Sequence, residues 1–255
     1  MEYKNIHVKI ETGIGEIVFD RPPLNVLNIE MMTEINQALK EFSADPSLKV
    51  VVITGAGKAF SAGVDVSEHT KEKVNVMISV FHEIFHKLNE ISVPTIAVVN
   101  GAALGGGCEV AIFCDIVIAS EKAKFGQPEI KVGVLPPIAA IMLPRLTNQK
   151  KALEIVLTGD IIRAEEAKAL GLVNHILPVD GFEEKKKEFI DKFTSLSGAV
   201  LKLTKKSMYQ TIGLDYHEAI KKVEDIYLKE LMQTDDANEG LQAFLEKRQP
   251  VWKDK

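Results

Sequence analysis

Three short segments carry residue types and spacings that chemistry could use. The first, Gly57-Lys58-Ala59-Phe60-Ser61-Ala62-Gly63-Val64-Asp65, follows a run of β-branched residues. The second, Asn100-Gly101-Ala102-Ala103-Leu104-Gly105-Gly106-Gly107-Cys108-Glu109, follows another such run and opens an apolar helix through Phe113. Small residues let a backbone adopt positive φ and pass close to a ligand. Where such a loop opens a helix, unpaired N–H groups point outward and the dipole adds partial positive charge. Two N–H groups from separate loops, aimed at one point, make an oxyanion hole. A single Gly-rich loop is by itself more often a tight strand-to-helix turn.

The third segment is Phe125-Gly126-Gln127-Pro128-Glu129-Ile130. Glu129 follows Glu109 after a helix end, a strand and a polar turn, a path whose lengths allow both carboxylates to return to one cleft. Around a bound water, one can take its proton while the other gives or takes a proton at carbon. A lone glutamate is ordinarily a solvated surface charge. Glu109 departs from that rule, because Val110, Ala111, Ile112 and Phe113 follow it directly. A carboxylate in apolar surroundings is costly unless it is paired or shifts its pKa, which marks it as a functional candidate.

The elements that must position these residues can be read from periodicity. Ile6–Glu11 and Glu16–Asp20 flank Gly13-Ile14-Gly15 and predict a hairpin. Helices are predicted at 29–42 and 74–91, each with apolar residues at spacings of three and four. Val50–Thr54, Thr95–Val99 and Ile116–Ala119 read as strands buried on both faces. Beyond residue 138 helical patterns dominate, at 139–157, 164–170, 182–196, 200–212, 216–232 and 237–245, with one strand at 173–177. The chain therefore reads as α/β, a strand-rich core followed by a helical tail. No Gly/Ser or Pro linker separates the two, so a single domain is expected.

Composition narrows the function. With 255 residues, 46% of them hydrophobic, the chain is long enough to build a full core without staples. Its 31 Lys and Arg against 36 Asp and Glu give a net charge of −5, which argues against nucleic acid as a main partner. Two cysteines, Cys108 and Cys114, make no disulfide framework. The text MEYKNIHVKIE has no secretory h-region, and no apolar run nears the ~20 residues that span a bilayer. A soluble, cytoplasmic protein is the expectation, with no membrane partner.

Phosphate-loop readings fail, because Val52 stands where the first glycine is needed and Ala59 where Ser or Thr must follow Lys58. His82-Glu83-Ile84-Phe85-His86 fits the H-E-x-x-H pattern on a predicted helix, a remote zinc-peptidase reading. Neither the glycine nor the third histidine of its extended form follows, and no metal site is expected. Lys185-Lys186-Lys187 and Lys205-Lys206 read as solvated helix faces.

AFSAGVD at 59–65, ALGGGCEVAIFCDIVIAS at 103–120, KFGQPEIKVG at 124–133 and TDDANEGLQAFLEKRQPVWK at 234–253 together resemble the crotonase (enoyl-CoA hydratase/isomerase) superfamily. The resemblance implies a ββα spiral core over residues 1–197. It also implies a C-terminal helical region at 198–255 that builds homotrimers or homohexamers within one continuous domain. It further implies an acyl-CoA thioester as partner, with coenzyme A part of the substrate and no separate cofactor, and stabilisation of an enolate. By position, the backbone N–H groups of Val64 and Gly106 would be the oxyanion donors. Glu109 would position and activate water, and Glu129 would handle the proton at the substrate carbon. Ala62, Gly63, Asp65 and Gly105 match substrate-binding positions. Carrying both glutamates resembles the hydratases, with open-chain hydratase or isomerase as the alternative. Leu135-Pro136-Pro137-Ile138-Ala139-Ala140-Ile141-Met142 replaces the Gly-rich turn usual in hydratases of open-chain substrates. With the short Arg21-Pro22-Pro23-Leu24-Asn25 motif, it resembles cyclohexa-1,5-diene-1-carbonyl-CoA hydratases of anaerobic aromatic degradation.

Overall fold

Thr12 and Gly13 both hold positive φ, 48° and 80°, and reverse the chain between β1 (Ile6–Glu11) and β2 (Ile14–Phe19). Two such residues in a row match the twist of an antiparallel pair. The hairpin is thus as expected, with its turn one residue earlier. The computed structural model describes residues 3–255; residues 1 and 2, inside the span expected for the core, lie outside the described residues. Helix α1 (Ile29–Ala44) begins where the Asn28 side chain accepts from the Met31 N–H. It buries Met31, Met32, Ile35, Ala38, Leu39 and Phe42 along one face.

Three successive units then repeat one pattern. They are β3 (Val50–Gly55), β4 (Ala59–Ser61) and α2 (Val74–Glu90), then β5 (Thr95–Val99), β6 (Ala102–Leu104) and α3 (Gly106–Phe113). The third is β7 (Ile116–Ser120), β8 (Lys124–Gly126) and α4 (Pro137–Leu146). The first strand of each unit joins a large sheet by parallel pairing, and the second joins a small one. Further on come α5 (Gln149–Thr158), β9 (Ile161–Arg163), α6 (Ala164–Ala169) and β10 (His175–Leu177). The large sheet runs β1-β2-β3-β5-β7-β10 and the small one β4-β6-β8-β9. Parallel strands with both faces covered read as continuous apolar runs, which is why β3 and β5 were legible. One face of the large sheet packs Val51, Ile53, Ala97 and Val99 under α1, α2 and α3. The other packs Val50, Val52, Ile96, Val98 and Ile118 under α7 (Phe182–Thr194).

Two expectations need correction. The helix expected across 139–157 is two helices, because Thr147 breaks the pattern and Asn148 caps α5 by accepting from the Lys151 N–H. The four strands of the small sheet, three residues each, were missed. A three-residue strand shows too little alternation to be read from sequence. The tail comprises α8 (Gly198–Tyr209), α9 (Tyr216–Lys229) and α10 (Asp235–Glu246). Among the described residues, no helix is long and apolar enough to cross a membrane.

Candidate active site

Helix α3 is short and almost wholly buried, with all residues from Gly106 to Ile112 out of solvent. A helix apolar all round sits inside a core, so a carboxylate on it must find polar partners within the protein. Glu109, 1% exposed, finds them at the start of α4: its Oε1 accepts from the N–H of Ile138 at 2.7 Å and of Ala139 at 2.8 Å. Pro137 at the first position of α4 has no N–H, so Glu109 satisfies the first two donors of that helix. Burial pushes its pKa up to about 8, the N–H donors oppose the rise, and the negative charge of Glu129 adds to it.

Glu129 reaches the same place from the small sheet. Strand β8 pairs with β6, and the Gly105 N–H extends that ladder by donating to the Gly126 carbonyl at 2.9 Å. The chain then turns through a 3-10 segment, Pro128–Val132, and lays the Glu129 carboxylate over Gly105. A Cβ on Gly105 would stand 2.7 Å from Glu129 Oε1, and Gly105 holds φ +52°. Burial raises the Glu129 pKa to about 7. Glu129 thus lies against the same turn into α3 that carries Glu109, near enough for its charge to act on Glu109.

The Val64 and Gly106 amides stand on adjoining loops. A Cβ on Gly106 would lie 2.7 Å from Val64 Cγ2, and one on Gly63 would lie 3.5 Å from Gly106 N. Their orientation follows from peptide planarity, since C=O and N–H of a trans unit point in opposite directions. The Gly63 carbonyl is held by the Leu27 N–H at 2.9 Å and the Gly105 carbonyl by the Glu109 N–H at 2.9 Å. Each following N–H, on Val64 and on Gly106, is turned away from that anchor. Among the described residues neither donates to a backbone acceptor.

The other predicted positions differ in what they do here. Ala62 is half-buried and its N–H donates to Leu24 O at 3.0 Å. Asp65 caps a 3-10 turn; its carboxylate accepts from Ser67 and lies 3.5 Å from Arg21, and the Ser67 hydroxyl holds its pKa below the ordinary value. His82, Glu83 and His86 share α2, but Glu83 pairs with Lys87 at 3.3 Å. Among the described residues no group of three His, Cys, Asp or Glu is placed to hold a metal ion. The apolar segment 135–142 splits: Ala139 enters the core, Ile138 and Met142 are half-buried against it, and Leu135 is 68% exposed. A surface cavity of about 330 Å³ beside α5, lined by Lys151, Glu154, Asp160 and Glu166, shares no residue with this site.

Sequence reasoning missed four contributors. The Ile138 and Ala139 N–H groups left no trace, because backbone donors carry no residue identity. Gln127, fully buried beside Glu129, stood in the motif without a role. Asn25 is buried at φ +53°, and its Nδ2 donates to Ala56 and Ala59 carbonyls at 2.9 and 2.8 Å, fixing the corner that leads to Val64. Its signal was an Asn before a buried run, since Asn tolerates positive φ better than most residues.

Spiral strand–strand–helix units with helices added at the C-terminal end define the crotonase fold. The family model described as enoyl-CoA hydratase/isomerase matches residues 9–255, and the chain belongs to that family. It is 39% identical over 244 residues to the mitochondrial enoyl-CoA hydratase of Pongo abelii, covering 94% of this chain and 84% of that one. The crystal structure of enoyl-CoA hydratase from Bacillus anthracis matches with a TM-score of 0.93 at 34% identity, over 99% of this chain and 100% of that one. That of enoyl-CoA hydratase from Mycobacterium smegmatis matches with a TM-score of 0.92 at 28% identity, over 98% and 99%.

Proposed function

We propose that the protein is a hydro-lyase that adds water to the conjugated double bond of an enoyl-CoA thioester. The observation that supports this reading is that the buried Glu109 and the half-buried Glu129 both lie against the turn from β6 into α3, beside the outward-turned amides of Val64 and Gly106. Attack of water at the β-carbon pushes electrons through the conjugated system onto the thioester oxygen. The Val64 and Gly106 N–H groups stabilise the enolate oxygen that results. Glu109, tethered through Oε1, uses Oε2 to take the proton from water, and Glu129 delivers a proton to the α-carbon. Donors from Ile138 and Ala139, with the N-terminal end of α4 behind them, favour the charged form at Glu109. Burial raises both carboxyls, Glu109 to about 8 and Glu129 to about 7, so Glu129 is assigned the acid by its role at the α-carbon and not by proton affinity. Coenzyme A enters as part of the substrate, and the sequence calls for no further cofactor.

The acyl group is proposed to be an alicyclic diene, cyclohexa-1,5-diene-1-carbonyl, placing the reaction in anaerobic aromatic degradation. Support comes from Ile138, whose N–H holds Glu109, and Met142 one turn further along α4, half-buried apolar residues in a segment where a Gly-rich turn would leave space for a chain. Assay of crotonyl-CoA and the cyclic dienoyl-CoA in ¹⁸O-labelled water tests both levels. Oxygen uptake into the ring substrate at the higher kcat/KM is expected. Faster turnover of crotonyl-CoA restores the open-chain alternative, and double-bond migration without ¹⁸O makes the enzyme an isomerase.

The tail is proposed to join three copies, or six as a dimer of trimers. Support comes from apolar side chains with nothing over them in the single chain, among them Phe244 at 82% and Leu245 at 80% exposure. Sedimentation velocity distinguishes these states from a monomer.

A further inference from the structure

Gln127 is completely buried, yet its side chain is polar at both ends and its amide must be satisfied inside the protein. With its nitrogen turned toward Glu129, the amide donates to Oε1 and to Oε2 at 3.2 Å each. Turned the other way, its oxygen would face only acceptors and its nitrogen only donors. The link between the two residues is a single proline, Pro128, whose ring fixes φ at the first position of the 3-10 turn. Glu129 is thus held at two points: Gln127 donates along its carboxylate, and Gly105 lies beneath Oε1.

We infer that Gln127 is the positioning residue for Glu129, holding the carboxylate plane toward the reacting carbon and setting its affinity for the proton. The inference deepens the hydratase reading and rests on it for the reacting carbon, though the hold on Glu129 is a property of the free protein. Two N–H donors favour the charged form, whereas burial favours the acid. Acting together they keep the group near neutrality, where a residue that must release a proton in one direction and recover it in the other works best. The titratable groups facing Glu129 are Glu109, whose charge opposes a second charge, and Cys108, a thiol that burial pushes up to about 12 and so leaves neutral. Lys131, two residues on, turns toward Asp160 at 3.9 Å. Among the described side chains, Gln127 is therefore the neighbour found to stabilise a negative charge on Glu129.

The test compares Gln127→Met, close in shape but without donors, with Gln127→Glu, which keeps the shape and adds an acid. In protein labelled with ¹³C at glutamate carboxyls, the Glu129 resonance is identified by its loss in Glu129→Gln. Its titration in the free full-length protein is expected to move up by about one pH unit in Gln127→Met, and further in Gln127→Glu. The kcat for water addition should fall about tenfold at pH 7, with affinity for a saturated acyl-CoA unchanged within about threefold. An unchanged titration in whichever variant folds overturns the inference, and so does failure of both to fold, which would make Gln127 a packing residue. Absence of water addition by the unaltered enzyme would instead defeat the hydratase reading, because the carboxyl titration needs no substrate.

Discussion

A buried carboxylate that caps a distant helix carries two jobs, and substitution can separate them. Glu109→Gln keeps an oxygen for the Ile138 and Ala139 N–H groups but cannot take a proton, so turnover should fall at least ~100-fold with little change in Tm. Glu109→Ala should lose the same turnover and also leave both donors unpaired, at roughly 1–3 kcal/mol each. That corresponds to a Tm lower by several degrees in a thermal melt, on the order of 2–4 °C per kcal/mol. A Gln variant as unstable as the Ala variant would contradict the capping role. Stability should also vary with pH in a defined sense. Both glutamates bind protons more tightly folded, at about 8 and about 7, than unfolded, near the ordinary 4.5. Their contribution is fully present below the unfolded value and is lost as pH rises toward 7 and 8, since there the folded state holds more protons. Tm should therefore decline across this window, and Glu109→Gln or Glu129→Gln should flatten the decline. The identities of both acids were legible because apolar text surrounds one and a motif holds the other. Their hydrogen-bond partners were not legible, being main-chain groups and a glutamine of ordinary type.

At the level of elements, the turn from β6 into α3 does most to shape the site. Gly105 there combines φ +52° with ψ −131°, a region that side chains avoid. Its missing Cβ is also what leaves room for Glu129 Oε1, 2.7 Å from where that atom would be. Gly105→Ala should thus cost roughly 1–3 kcal/mol in backbone strain and displace Glu129 as well. Chemical denaturation should show a lower midpoint, and kcat should fall by at least ~10-fold while Glu109 stays in place. An Ala variant with full activity would mean that the carboxylate does not need this path. The Gly-rich loops announced the turns, but the small sheet that aligns them was invisible. Each of its strands is three residues long, and their pairing connects β4, β6 and β8 across more than sixty residues of sequence. Long-range pairing of such short pieces is decided by the spiral as a whole, not by local pattern.

Across the whole molecule, the helical tail is fastened to the core by polar groups whose purpose the sequence disguised. Lys205 read as half of a solvated lysine pair, yet its Nζ reaches Asp115 at 2.7 Å and the Val93 carbonyl at 3.0 Å, with both side chains largely buried. Asp115 also accepts from the Thr95 N–H and hydroxyl, and from the Tyr209 hydroxyl at 2.5 Å. One carboxylate thereby joins the start of β5, the start of β7 and two positions one turn apart on α8. Helix periodicity marks which face of α8 is polar, but not that a buried aspartate ninety residues earlier waits beneath it. Removing that aspartate leaves a mostly buried ammonium without its partner, a loss of roughly 3–5 kcal/mol for a buried pair. Asp115→Ala should accordingly lower Tm by about 6 °C or more. Glu129 and the Val64 and Gly106 amides follow the opposite ends of the strands, roughly 17 Å away for five residues, and Glu109 is tethered to α4 and not to Asp115, so kcat measured well below the melt should stay within about twofold. If the tail joins copies, the variant should also dissociate at protein concentrations where the unaltered chain stays assembled, as sedimentation would show. A variant with unchanged melting would mean that the tail holds to the core through its apolar contacts alone.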